Sequence, residues 1–196
     1  MKKLLFVMFG LSILFSNCSN DEDLTPLSEV EKKDLLFLRE EEKLARDIYV
    51  YAFNKYQNNV FNSISQSEQK HMDNVLNLLN QYAIPDPAST QMGIFNNADL
   101  QSLYNQLKSQ VDISASESLK VGATIEELDI NDIDDFIANT SNSKLLNVYD
   151  KLNCGSKNHI RSFTDQLKTV GITFVPQFIS VEEYNTILNS PSGSCK

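Results

Sequence analysis

The stretch from Ile64 to Tyr82, ISQSEQKHMDNVLNLLNQY, decides the fold. Ile64, Glu68, His71, Val75, Leu78 and Tyr82 recur every three or four residues, the period of one face of an α-helix. That face is apolar except at Glu68 and His71, which sit one turn apart as a Glu-x-x-His pair where core residues belong. The chain has only two histidines, and the second, His159, holds an equivalent inward position in another helix.

Three further segments repeat the pattern. Leu35, Leu38, Glu42, Ala45, Tyr49 and Ala52 make one stripe, Leu119, Gly122, Glu126, Asp129 and Ile133 a second, and Leu145, Tyr149, Leu152, Ser156, His159 and Phe163 a third. Each turns polar near mid-helix. Burying an ionised carboxylate without a partner costs several kcal/mol, so four helices aiming such groups at one core require protons or a cation there. A metal site is the economical reading.

Local signals set the expected boundaries. Ser28 with Glu31 is a capping box that opens the first helix, which runs to Tyr56 before a Gln57-Asn58-Asn59 turn. The second helix is expected over 64–83, ended by Ile84-Pro85-Asp86-Pro87. A long connection to Ile113 follows and carries a short amphipathic helix marked by Leu100, Leu103, Leu107 and Val111. Ser114 and Glu117 open the third long helix, expected to end at Ala138, and Asn139-Thr140-Ser141-Asn142 leads directly into the fourth, over 144–170. Ile172 to Phe178 reads as an extended strap, and Ser180 with Glu183 caps a last short helix. The expectation is an all-α fold: a four-helix bundle with a long crossover between helices two and three and a short C-terminal helix.

The N-terminus reads as an address rather than a core element. Lys2 and Lys3 precede the apolar run Leu4 to Phe15, which ends at Ser16-Asn17-Cys18. Residues 1–17 resemble a lipoprotein signal peptide with Cys18 as the lipidated first residue; an ordinary cleaved signal or an uncleaved anchor is the competing reading. Residues 18–27 form an acidic tether, similar to the surface-export signal of Bacteroidetes lipoproteins, and 28–196 form the bundle domain. The expected location is the cell envelope, lipid-anchored to a bacterial membrane, with the outer membrane surface as one option. Cys154 and Cys195 remain as a candidate pair in an oxidising compartment, with paired and free states both open. The net charge of −9 and the lack of a basic stripe or Gly-rich phosphate loop argue against a nucleic-acid partner.

The runs Arg39-Glu40-Glu41-Glu42-Lys43-Leu44-Ala45-Arg46-Asp47-Ile48-Tyr49, Ser67-Glu68-Gln69-Lys70-His71-Met72 and Gly155-Ser156-Lys157-Asn158-His159-Ile160-Arg161 resemble the ferritin-like superfamily. Within it, they are similar to a bacterial ferritin-like family catalogued as domain of unknown function 2202. The resemblance implies metal ligands at Glu42, Glu68, His71, Glu126 and His159, with Asp129 as an extra ligand from the third helix. It departs at Ser156, where the fourth helix would supply a second bridging glutamate. Either Asp129 compensates, or the site holds one metal, or it is a remnant. Iron, as a di-iron centre, is the implied cofactor, with manganese or zinc as alternatives.

Local alternatives compete with the ligand roles. Arg46 stands four residues after Glu42 and offers it an ion pair; Ser65 and Glu68 fit a capping box if the second helix starts late; Asp129 reads equally as a surface charge. Glu40 and Glu41 are expected in solvent, and Tyr49 and Tyr82 as packing residues. The implied function is iron-dependent redox chemistry with oxygen, peroxide or Fe(II), and the rival is a non-enzymatic surface lipoprotein that binds or scaffolds. The expected partners are metal ions and, through Cys18, a membrane, with no protein partner identified.

Overall fold

The computed structural model describes residues 24–195, so the expected signal segment and Cys18 lie outside the described residues. Among the described residues there are helices and no strands: α1 (Glu29–Tyr56), α2 (Asn59–Gln81), α3 (Ala98–Val111), α4 (Ala115–Ala138), α5 (Ser143–Thr169) and α6 (Val181–Asn189). Helix α1 packs along α2 and α4 along α5, and the 82–97 segment with α3 crosses between the two hairpins. None of these helices is long and apolar enough to cross a membrane.

Caps begin the helices where the sequence suggested, with one correction. Ser28 and Glu31 form the full capping box of α1. Helix α2, however, starts at Asn59 rather than Ile64, because the Asn58 side chain accepts from Val60 N and caps it early. Gln57 makes this tight turn by adopting a left-handed φ of 54°. Ser65 therefore lies inside the helix and donates to Asn62 O, which leaves Glu68 to the core.

The core divides at the polar belt. Above it Ile48, Tyr49, Phe61, Ile125, Phe163 and their neighbours pack together; below it Leu35, Leu38, Val75, Leu79, Ile133 and Leu152 do so. Burial of this apolar surface, at about 25 cal/mol per Å², is the main driving term for the bundle.

Charged residues of α1 secure the crossover. Arg39 donates from two nitrogens to Asp86 (3.0 and 2.8 Å), and Glu40 accepts from Asn96 N and Asn97 N at 2.7 and 2.9 Å. The Lys43 ammonium is 1% exposed; it donates to Asp47 at 2.6 Å, Gln91 O at 2.9 Å and Ile94 O at 3.2 Å, and lies over the Phe95 ring. Asp47 also accepts from Gly93 N. Glu40 and Glu41 are thus buried, contrary to the expectation of solvation, because the crossover folds back over that side of α1.

At the other end, Glu127 Oε1 accepts from Gln177 N, Phe178 N and Ile179 N at 2.5, 2.6 and 2.9 Å and fixes the strap before α6. A Cys154–Cys195 disulfide ties the tail to α5. Breaking a buried pair leaves an unpaired charge inside, so Asp47→Ala is expected to lose about 3–5 kcal/mol of stability. Urea denaturation measures it, and an unchanged midpoint would mean that the crossover is held by packing alone.

Candidate metal centre

Four helices deliver the polar belt. Glu42 comes from α1, Glu68 and His71 from α2, Glu126 and Asp129 from α4, and His159 from α5. The four carboxylates are 0% exposed and the two histidines 7% and 8%. Arg46, the local competitor for Glu42, instead donates to Asp47 and Gln69, so Glu42 faces the core.

The donors form two matched groups. His71 Nδ1 lies 3.2 Å from Glu42 Oε2 and 2.8 Å from Glu68 Oε2. His159 Nδ1 lies 3.2 Å from Glu126 Oε2 and 2.8 Å from Glu68 Oε1. Glu42–Glu68–His71 and Glu68–Glu126–His159 each offer three donor atoms within 4.8 Å of one another, and Glu68 belongs to both with one oxygen for each. The two imidazole rings stack, with centroids 5.6 Å apart. Both Glu68 contacts are short yet off the line of a hydrogen bond, so both its oxygens, like Glu42 Oε1, lack a hydrogen-bonding partner.

Those orphaned oxygens are the test of fit. Buried carboxylate oxygens without donors are rare in folded proteins, and here they converge with two nitrogens on common points. Three carboxylates and two imidazoles suit iron, manganese or zinc.

Neighbouring groups orient the donors. The Tyr49 hydroxyl donates to Glu126 Oε1 at 2.6 Å, which gives this core tyrosine its single strong partner. His159 Nε2 is 3.0 Å from Ser67 Oγ, within hydrogen-bonding reach of that hydroxyl, while Nδ1 is turned to the carboxylates. A Cβ placed on Gly155 would fall 2.6 Å from His71 Nε2, so the His71 ring occupies the space of a missing side chain. Sequence reading gave Ser67 and Gly155 no role. The clue available was their position beside the Glu-x-x-His pair and one turn before His159.

Asp129 is fully buried, which rules out the surface-charge reading, and both its oxygens lack partners. It is not among the residues of the two three-donor groups. Burial, then the charges of Glu41 and Glu42, hold its carboxyl well above the usual range. Ser156 is buried and donates to Leu152 O on its own helix, away from any ligand role.

Residues 31–191 match a family described as an uncharacterized protein domain, DUF2202. The chain belongs to this family. One relative, the uncharacterized protein MJ0754 of the archaeon Methanocaldococcus jannaschii, is 46% identical over 166 residues, covering 84% of this chain and 90% of that protein. The crystal structure of that hypothetical protein superposes with a TM-score of 0.85 at 45% identity, over 86% of this chain and 97% of the other. The DUF2202 fold is therefore shared between this chain and an archaeal protein.

Proton bookkeeping gives the pH dependence. Burial pulls the His159 imidazolium down, but Glu68 and Glu126 outweigh it and raise it to about 10. His71 is raised in the same way by Glu68 and Glu42, and burial lifts the Glu42 carboxyl to about 8. These raised groups stabilise the metal-free chain while protonated, and that stabilisation is lost as pH rises through about 8 and about 10. Ligation requires neutral imidazole and ionised carboxylate, so loading at pH 7 is expected to release about two to three protons per chain. Calorimetry in buffers of different ionisation enthalpy counts them; metal uptake without proton release would remove these residues as ligands.

Proposed function

We propose that this chain is a cell-envelope lipoprotein, anchored through Cys18, whose ferritin-like bundle holds two transition-metal ions for redox chemistry. Iron is the first candidate, with dioxygen, peroxide or Fe(II) as the reacting partner. The observation that carries the reading is the pair of three-donor groups sharing Glu68. Glu42 and His71 would hold one ion, Glu126 and His159 the other, and Glu68 would serve both.

Iron supplies the electron transfer in such a centre, and the chain supplies its surroundings. Tyr49 and Ser67 fix Glu126 and His159 through hydrogen bonds. Phe61, Phe163 and Tyr49 pack against one another and limit water on one side. Desolvation strengthens every charge interaction within the belt.

Ser156 favours a second reading, in which the bundle is a binding or scaffold module and protons alone neutralise the carboxylates. Elemental analysis of the full chain, purified without chelator and reconstituted anaerobically with Fe(II), separates the two. The expected result is about two irons per chain, with at least one lost in His71→Ala. Metal no higher than in a bovine albumin control would leave the scaffold reading. Intact-mass analysis of the chain from the membrane fraction is expected to show cleavage before Cys18 and an added lipid mass, both lost in Cys18→Ala; an unmodified Cys18 would exclude the lipid anchor.

A further inference from the structure

Most of the buried carboxylates of the bundle have an evident task. Glu40 and Glu127 accept backbone N–H groups, Asp47 holds Lys43 and Gly93, and Glu42, Glu68 and Glu126 face the imidazoles. Two are left over. Glu41 is 4% exposed with Oε2 unpartnered, and Asp129 is 0% exposed with both oxygens unpartnered. Such groups are expensive to bury, and the basic residues near them on α1 are engaged elsewhere: Arg39 is turned to Asp86, Lys43 and Arg46 to Asp47.

Their placement is directional. Glu126, Asp129 and Asp132 follow at intervals of three along α4, each step rising about 4.5 Å. Exposure increases along the row, from 0% at Glu126 and Asp129 to half-buried at Asp132. Glu41, across on α1, meets the Asp132 carboxyl and is the charge acting most strongly on Asp129. The next residue on α1 is Glu42, a member of the metal centre.

We infer that Asp132, Glu41 and Asp129 form an acidic passage that conducts divalent cations from solvent to the Glu42, Glu68 and Glu126 cluster. The inference rests on the metal-binding reading above and adds the route. Oxygen-only stations outside any three-donor group attract a hard cation without retaining it, whereas the imidazole-bearing groups beyond provide more donors. At the half-buried rim, the Asp132 carboxylate draws cations to the mouth of the row.

Stopped-flow mixing of the full chain with Co(II), followed by the metal's ligand-field absorbance, tests the route through the loading rate and the final stoichiometry. Asp129→Asn, Glu41→Gln and the rim variant Asp132→Asn are expected to load about tenfold more slowly, at wild-type stoichiometry. Asp73→Asn, an exposed α2 control that removes a carboxylate outside the row, is expected to load at the wild-type rate. Circular dichroism confirms the fold of each variant. Rates equal to that of Asp73→Asn would overturn the passage, as would loss of bound Co(II) in Asp129→Asn, which would make Asp129 a ligand. If wild type itself takes up no Co(II), the metal reading fails and the passage with it.

Discussion

The structure depends on the desolvation of Glu41, Glu42, Glu68, Glu126 and Asp129 inside one helical bundle, opposed by only two imidazoles. Protons reduce the imbalance: burial raises Glu42, Glu126, Asp129 and Glu41, while the histidines are held charged by the carboxylates around them. Glu68 alone is driven down, since both imidazoles outweigh its burial. Replacing such a belt with well-packed apolar residues is often neutral or stabilising, so stability alone does not account for the polar one.

The same helix that contributes Glu42 also secures the crossover. Along α1, successive residues serve opposite faces: Arg39, Glu40, Lys43 and Asp47 hold the 86–97 segment, while Glu41 and Glu42 turn to the interior. This explains why so charged a run lies buried. Around the Lys43–Asp47 pair, Lys43 donates to Gln91 O and Ile94 O while Asp47 accepts from Arg46 Nε, Arg46 Nη2 and Gly93 N, the kind of full pairing under which a buried ion pair persists.

Periodicity made the bundle legible, because a stripe repeating at three and four residues has one burial solution. The inward placement of Glu42, Glu68, His71, Glu126 and His159 followed from the same stripes. Glu40 and Glu41 were misread because their cover is the crossover, and nothing in the helical period tells where a loop will fold back. The early start of α2 escaped notice because Asn58 caps without a matching glutamate three residues on. Tyr49 and Ser67 were visible as residues but not as partners, since their hydrogen bonds join elements distant in sequence.

Gly155 carries a consequence for how this site can change over evolutionary time. The His71 ring fills the volume that any side chain at 155 would take, so the two positions compete for one space. A relative that gains a side chain there must displace or lose the imidazole, and one that loses the imidazole is left with a void against α5. The size of residue 155 and the placement of the imidazole are thus set by one shared volume.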